Sequence, residues 1–123
     1  MILYAAADLI WASKIKATAD ALGLAARPVR TPEMLTARLA DTQPTALIVD
    51  MDKGDEGLAL IRKARAALPT LRIVAFGPHV AKELLQAARD AGASDVMTRG
   101  ALEHNMEDVL IALAASSGGA PSS

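Results

Sequence analysis

The sequence predicts an α/β domain of the (βα)5 type, a three-layer sandwich in which a five-stranded parallel sheet lies between helices. Two observations carry that reading. Short apolar runs alternate five times with stretches of helical periodicity along the 123 residues, and strands alternating with helices build parallel sheets through right-handed crossovers. The run "ALIVD", Ala46 to Asp50, is apolar without alternation until its final acid, as expected of a strand covered on both faces.

Taken in order, "ILYAA", Ile2 to Ala6, is the first strand. From about Asp8 to Leu22 the side chains Trp11, Ile15, Thr18 and Leu22 recur every three or four residues, which gathers them on one helical face. Gly23 is placed to end that helix. A weak second strand, about Ala25 to Arg30, contains Pro28, which cannot donate to a neighbour and so belongs at an edge. In "TPEMLTARLAD" Thr31 supplies the N-cap, Pro32 the first helical position and Glu33 an acid in the first turn, with Met34, Leu35 and Leu39 facing inward.

The third strand, Ala46 to Asp50, leads into a loop after which Asp55 is expected to cap a helix with Leu58, Ile61, Arg65 and Leu68 in one stripe, ended by Pro69. "LRIVAF", Leu71 to Phe76, is the fourth strand. The helix of "HVAKELLQAARDAG" carries Val80, Leu84, Ala88 and Ala91 on one face and stops at Gly92. "SDVMT" is a short fifth strand, and Leu102, Met106, Val109, Leu110 and Leu113 form the buried side of one last helix. The domain is expected over residues 1–116, and the closing "SSGGAPSS" has the composition of a flexible tail or the start of a linker, residues 117–123.

Composition narrows the function classes. Apolar residues make up 52% of the chain and charged residues 22%, a globular balance, and with one Trp, one Tyr and one Phe the core has to be aliphatic and alanine-rich. A net charge of −1 without a basic tail lacks the electrostatic footprint of a nucleic-acid binder. The absence of cysteine excludes disulfides, thiol catalysis and Cys-based zinc sites. No apolar run approaches the roughly 20 residues a membrane helix needs. The expectation is a cytoplasmic protein that binds neither nucleic acid nor membrane.

Ligand chemistry in an open parallel sheet lies outside the carboxyl ends of its strands, where strand order reverses. That rule selects Ala6, Ala7 and Asp8 after the first strand, Asp50 to Asp55 after the third, Gly77 to His79 after the fourth, and Thr98 to Gly100 after the fifth. His79 and His104 are isolated and lack metal-binding spacing. Neither GxGxxG nor GxxxxGK[ST] occurs, so a small-molecule site at this edge, a third reading of the chain, has no nucleotide fingerprint.

"ALIVD" followed by "EGLALIRKAR", and later "ARDAGASDVMTRG", resemble the receiver domain of bacterial response regulators, the CheY-like, flavodoxin-like fold, over about residues 1 to 114. The resemblance implies that Asp50 is the candidate phosphoacceptor. It also implies departures. The family's pair of metal-binding acids falls on Ala6 and Ala7, with Asp8 one place late. The switch Ser/Thr falls on Gly77, the Lys-Pro on Arg99-Gly100, and the aromatic of the fifth strand on Val96. Mg²⁺ takes one or two carboxylates together with phosphate oxygens and water, and phosphoryl transfer depends on such cationic neutralisation, so an acceptor stripped of these partners is a poor switch.

The expectation is therefore an atypical receiver, or pseudo-receiver, stand-alone or excised from a longer protein. It is expected to be not an enzyme, to need no cofactor, and to act in two-component signal transduction through protein contacts without regulated phosphorylation. In that reading Asp50 is paired with Arg99 or Lys53, and Asp8 caps the first helix. The resemblance also implies a docking or homodimer face on helix four, strand five and helix five, here Lys82, Glu83, Gln86, Arg89, Asp90 and Glu107. The alternative is a response regulator phosphorylated on Asp50, with a rearranged Mg²⁺ site drawn from Asp50, Asp8 and Asp52.

Overall fold

The structure is a computed structural model and describes residues 1–115; the expected tail, residues 117–123, and the last residue of the expected domain lie outside the described residues. One sheet holds β1 (Ile2–Ala5), β2 (Ala26–Pro28), β3 (Ala46–Asp50), β4 (Arg72–Gly77) and β5 (Asp95–Thr98) in the order β2-β1-β3-β4-β5. Every pairing is parallel. Around it lie α1 (Leu9–Ala21), α2 (Pro32–Asp41), α3 (Asp55–Ala67), α4 (Lys82–Ala91), α5 (Arg99–His104) and α6 (Met106–Ala115), with a 3-10 turn, Met51–Lys53, between β3 and α3. The order reverses between β1 and β3, which places the switch point beside Asp50.

Side chains of a strand alternate between faces, and the core divides accordingly. Leu3, Leu47, Val49, Ile73 and Ala75 pack on one face under Leu35 of α2, Leu60 and Ile61 of α3 and Ala88 of α4. Ile2, Tyr4, Ile48, Val74 and Phe76 pack on the other under Trp11 and Ile15 of α1 and Leu110 and Leu113 of α6. All five residues of β3 are buried, so its apolar run serves both layers. Pro28 lies on β2, an edge strand. Asp8 and Thr31 cap α1 and α2, accepting from the amides of Trp11 and Met34.

Four expectations are corrected. Asp55 does not cap α3: it is the first helical residue, and Gly54 precedes it at φ +60°, a left-handed turn that glycine enters without Cβ strain. Val80 is not on the buried face of α4 but 76% exposed ahead of it, because the Ala81 amide donates to the Pro78 carbonyl and that turn delays the helix. Arg65 does not belong to an apolar stripe; its guanidinium donates to the carbonyls of Gly92 and Pro69 and to Ser94 Oγ. The two carbonyls lie just past the C-terminal ends of α4 and α3, where no helical amide follows to take them up. The last helix is two: the backbone leaves helical geometry at Asn105, φ −112° and ψ 18°, where both the main-chain amide and Nδ2 of Asn105 donate to the Ala101 carbonyl. Leu102 and Met106 are buried on either side of that break, so the apolar periodicity runs across it unchanged.

Candidate functional site

Asp50 ends β3, where it stands in register with Phe76 of β4. It is fully buried, and among the described residues no other charged residue is classed as buried. A buried carboxylate is tolerable only when hydrogen-bonded and paired. Here Oδ2 accepts from the Ala7 amide at 3.0 Å and Oδ1 from the Asp52 amide at 3.0 Å. The Ala6–Asp8 loop supplies the first of these amides and the 3-10 turn the second. Arg99, the first residue of α5, brings Nη2 to 3.8 Å from Oδ1 while also pairing closely with Asp52. Of the two cations proposed as partners of Asp50, Arg99 faces it. Lys53 instead meets Glu56 at 2.8 Å.

The other residues selected from the sequence are near but differently occupied. Asp8 Oδ1 accepts from the Trp11 amide at 2.9 Å, a capping bond, and Asp52 is held by Arg99. Ala6 and Ala7 bring no oxygen on a side chain. Among the described residues no group of three or more His, Cys, Asp and Glu is placed to hold a metal ion. Of the set Asp50, Asp8 and Asp52, the last two are thus engaged by a helix cap and by Arg99. Gly77, at the end of β4, pairs with Thr98, and a Cβ there would sit 3.4 Å from Leu85 Cδ2 and 3.5 Å from Met51 Cβ. The backbone thus has room for a small side chain, though none is present.

Away from this pocket, Lys82, Glu83, Gln86, Arg89 and Asp90 are all exposed on α4, and Gln86 Nε2 donates to Asp90 Oδ1 at 2.9 Å. Glu107 stands apart from them. It lies on α6, beside Thr18 of α1, since α6 packs on the sheet face opposite α4. His79 and His104 are exposed. Sequence reasoning missed the Ala7 amide as a partner of Asp50, since a main-chain donor 43 positions away leaves no mark in residue type.

No family model matches the chain. It is 32% identical over 80 residues to the transcriptional activator protein ExaE of Pseudomonas putida, a match over 64% of this chain and 37% of ExaE. The receiver domain of NtrX from Brucella abortus superposes with a TM-score of 0.75 at 20% identity, over 90% of this chain and 98% of that domain; a longer NtrX chain is covered over only 27% of its length. A response regulator from Thermotoga maritima gives a TM-score of 0.77 at 19% identity, over 94% of this chain and 97% of that one. At these identities the likeness is one of fold: five parallel strands in one sheet with flanking helices, the flavodoxin-like fold of CheY-like receiver domains.

Proposed function

We propose that the chain is a receiver-fold module of signal transduction that acts through protein contacts and without regulated phosphorylation of Asp50. The state of Asp50 carries the reading. An acceptor carboxylate has to present a free lone pair in line with phosphorus while cations draw charge from the equatorial oxygens. Asp50 is 0% exposed, with each oxygen holding a main-chain amide. The guanidinium opposite is shared with Asp52. Such a carboxylate is a structural anchor between the loops after β1 and β3.

The partner surface in this reading is the mixed-charge face of α4 with the adjoining β5 edge, suited to an isologous contact with a second copy or to a signalling partner. ExaE is a transcriptional activator, which supports a place in signalling for a chain that resembles part of it.

The test is intact mass after incubation with Mg²⁺ and acetyl phosphate, beside an Asp50→Asn control. An unchanged mass is expected. One phosphate on the parent, absent from the control, overturns the reading in favour of a phosphoacceptor. For the surface, Lys82→Glu with Arg89→Glu is expected to change the association state measured by sedimentation or the recovery of a binding partner. If both stay as in the parent, α4 is not the contact face.

A further inference from the structure

We infer that the chain pairs with a second copy of itself through α4, the two helices running parallel about a two-fold axis along their length. This rests on the reading of α4 as a contact face and names its occupant. The layout of the charges carries it. A helix turns by about 100° per residue, so Lys82 and Arg89 stand within about 20° of each other around α4, and Glu83 and Asp90 do the same. All of them are exposed. The outer face therefore carries a basic stripe and an acidic stripe side by side, with Gln86 on the line between them.

Within one helix these charges cannot satisfy each other. Side chains of a helix meet three or four positions apart, whereas opposite signs on this face stand one, six or eight positions apart. Gln86, at the spacing where a partner charge for Asp90 would sit, donates to its Oδ1 at 2.9 Å instead. Lys82, Glu83 and Arg89 make no hydrogen bond or ion pair among the described residues. Beside the acidic stripe Leu84 and Ala87 are half-buried, and Val80, 76% exposed, stands just ahead of the helix. These supply apolar area to a contact whose exposed ion pairs are weak singly.

Symmetry selects the direction. A two-fold contact sets a face against itself. With the helices antiparallel, each stripe lies over its own copy: Lys82 meets Arg89 of the second copy and Glu83 meets Asp90, like charge on like. With the helices parallel the stripes exchange sides. Lys82 then meets Glu83 of the second copy and Arg89 meets Asp90, each pair made twice, while Gln86 meets Gln86 on the axis. The charges favour the parallel pair. One helix face is well under the area of a standard interface, so the dimer is weak and sensitive to salt. Glu107, on the opposite side of the sheet, takes no part.

The experiment is sedimentation of the full chain and its charge variants from about 10 µM to about 1 mM. The parent is expected to dimerise toward the upper end, about ten-fold more weakly in about 0.5 M than in about 0.05 M NaCl. Lys82→Glu with Arg89→Glu makes both stripes acidic, and Glu83→Lys with Asp90→Lys makes both basic. Each variant alone is expected to stay monomeric, and their equimolar mixture to associate at least about ten-fold more tightly than either with itself. Association on mixing also shows that both variants fold. Lys82→Glu with Glu83→Lys exchanges the signs at one end only. It preserves every pair of the parallel dimer and is expected to associate like the parent, whereas an antiparallel dimer would tighten. The proposal is overturned by a parent monomeric throughout the range, by a dimer that strengthens with salt, by a single-sign variant that dimerises like the parent, by a mixture no tighter than its components, or by a tighter end-exchanged variant. A monomeric parent removes the dimer alone: contact of α4 with another protein is read from partner recovery, and the state of Asp50 from the mass after acetyl phosphate.

Discussion

Replacing Asp50 by Asn separates a structural carboxylate from one kept for chemistry, because the two predict opposite signs of stability change. The shapes are equal, so packing is unchanged. One oxygen of the amide can still accept from Ala7 or Asp52, whose amides now hold the two carboxylate oxygens at 3.0 Å each. The new NH2 then faces the other amide as donor to donor. One lost charge-assisted bond is worth roughly 1.5–3 kcal/mol, and a buried donor left unmet about 1–3 kcal/mol. Arg99 keeps Asp52, whose side chain is 43% exposed, so the lost pairing at 3.8 Å adds little. Because the two costs arise at one contact and overlap, the net loss is about 2–4 kcal/mol, or on the order of 10 °C in Tm for a domain of this size. Urea unfolding followed by Trp11 fluorescence is the assay. Trp11 is 7% exposed, its ring 4.9 Å from that of Phe76, the register partner of Asp50. The urea slope should stay constant, so that the midpoint carries the effect. Stability equal to or above that of the parent refutes the argument: a charge retained at a cost to folding is the mark of a working site.

Other perturbations follow from the same geometry. Gly92→Ala puts a Cβ 2.9 Å from Arg65 Cγ at φ +125° and is expected to cost about 2–3 kcal/mol in urea unfolding. Arg65→Met, which strips the Gly92 and Pro69 carbonyls of a donor, is expected to cost about 2 kcal/mol, and the pair together less than the sum because they share one contact. Ala6→Asp with Ala7→Asp brings two acids toward Asp50; the double variant should melt below the parent without Mg²⁺, recover with it, and gain a Mg²⁺-dependent Trp11 signal that the parent lacks. Gly77→Ser meets only ordinary contacts at its Cβ and should change stability by less than about 1 kcal/mol in thermal melts.

What could be read from the sequence was whatever a run of residue types encodes. The apolar run of β3, the edge proline of β2 and the caps Asp8 and Thr31 all act within a few positions, and each appears in the structure at its place. The misreadings arose where backbone geometry rather than the run of residue types sets where an element begins or ends. Gly54 took the capping position ahead of Asp55, and Asn105 ended α5 although the apolar stripe continued. Arg65 looked like one more helical position because its partners, Gly92 and Ser94, lie 27 and 29 residues away. The neighbourhood of Asp50 was legible only in part. Residue types marked the acid and the two cations within reach, but the choice of Arg99 over Lys53 depends on where α5 starts relative to the 3-10 turn.

The two ends of α4 are not held alike. Ahead of Lys82, Ala81 offers no side-chain cap, while behind Ala91 the Gly92 carbonyl receives two donors from Arg65 and the Ala93 amide returns to Ala88. Opening of a helix begins where its end groups are least held, so this one unzips from Lys82 toward Ala88, and hydrogen exchange should run faster at Leu85 than at Ala91. The unpinned end lies beside the carboxyl edge of the sheet and the pinned end beside its amino edge. Any opening of α4 is therefore expected to start on the side of the sheet that carries Asp50, and the opposite end to hold longest.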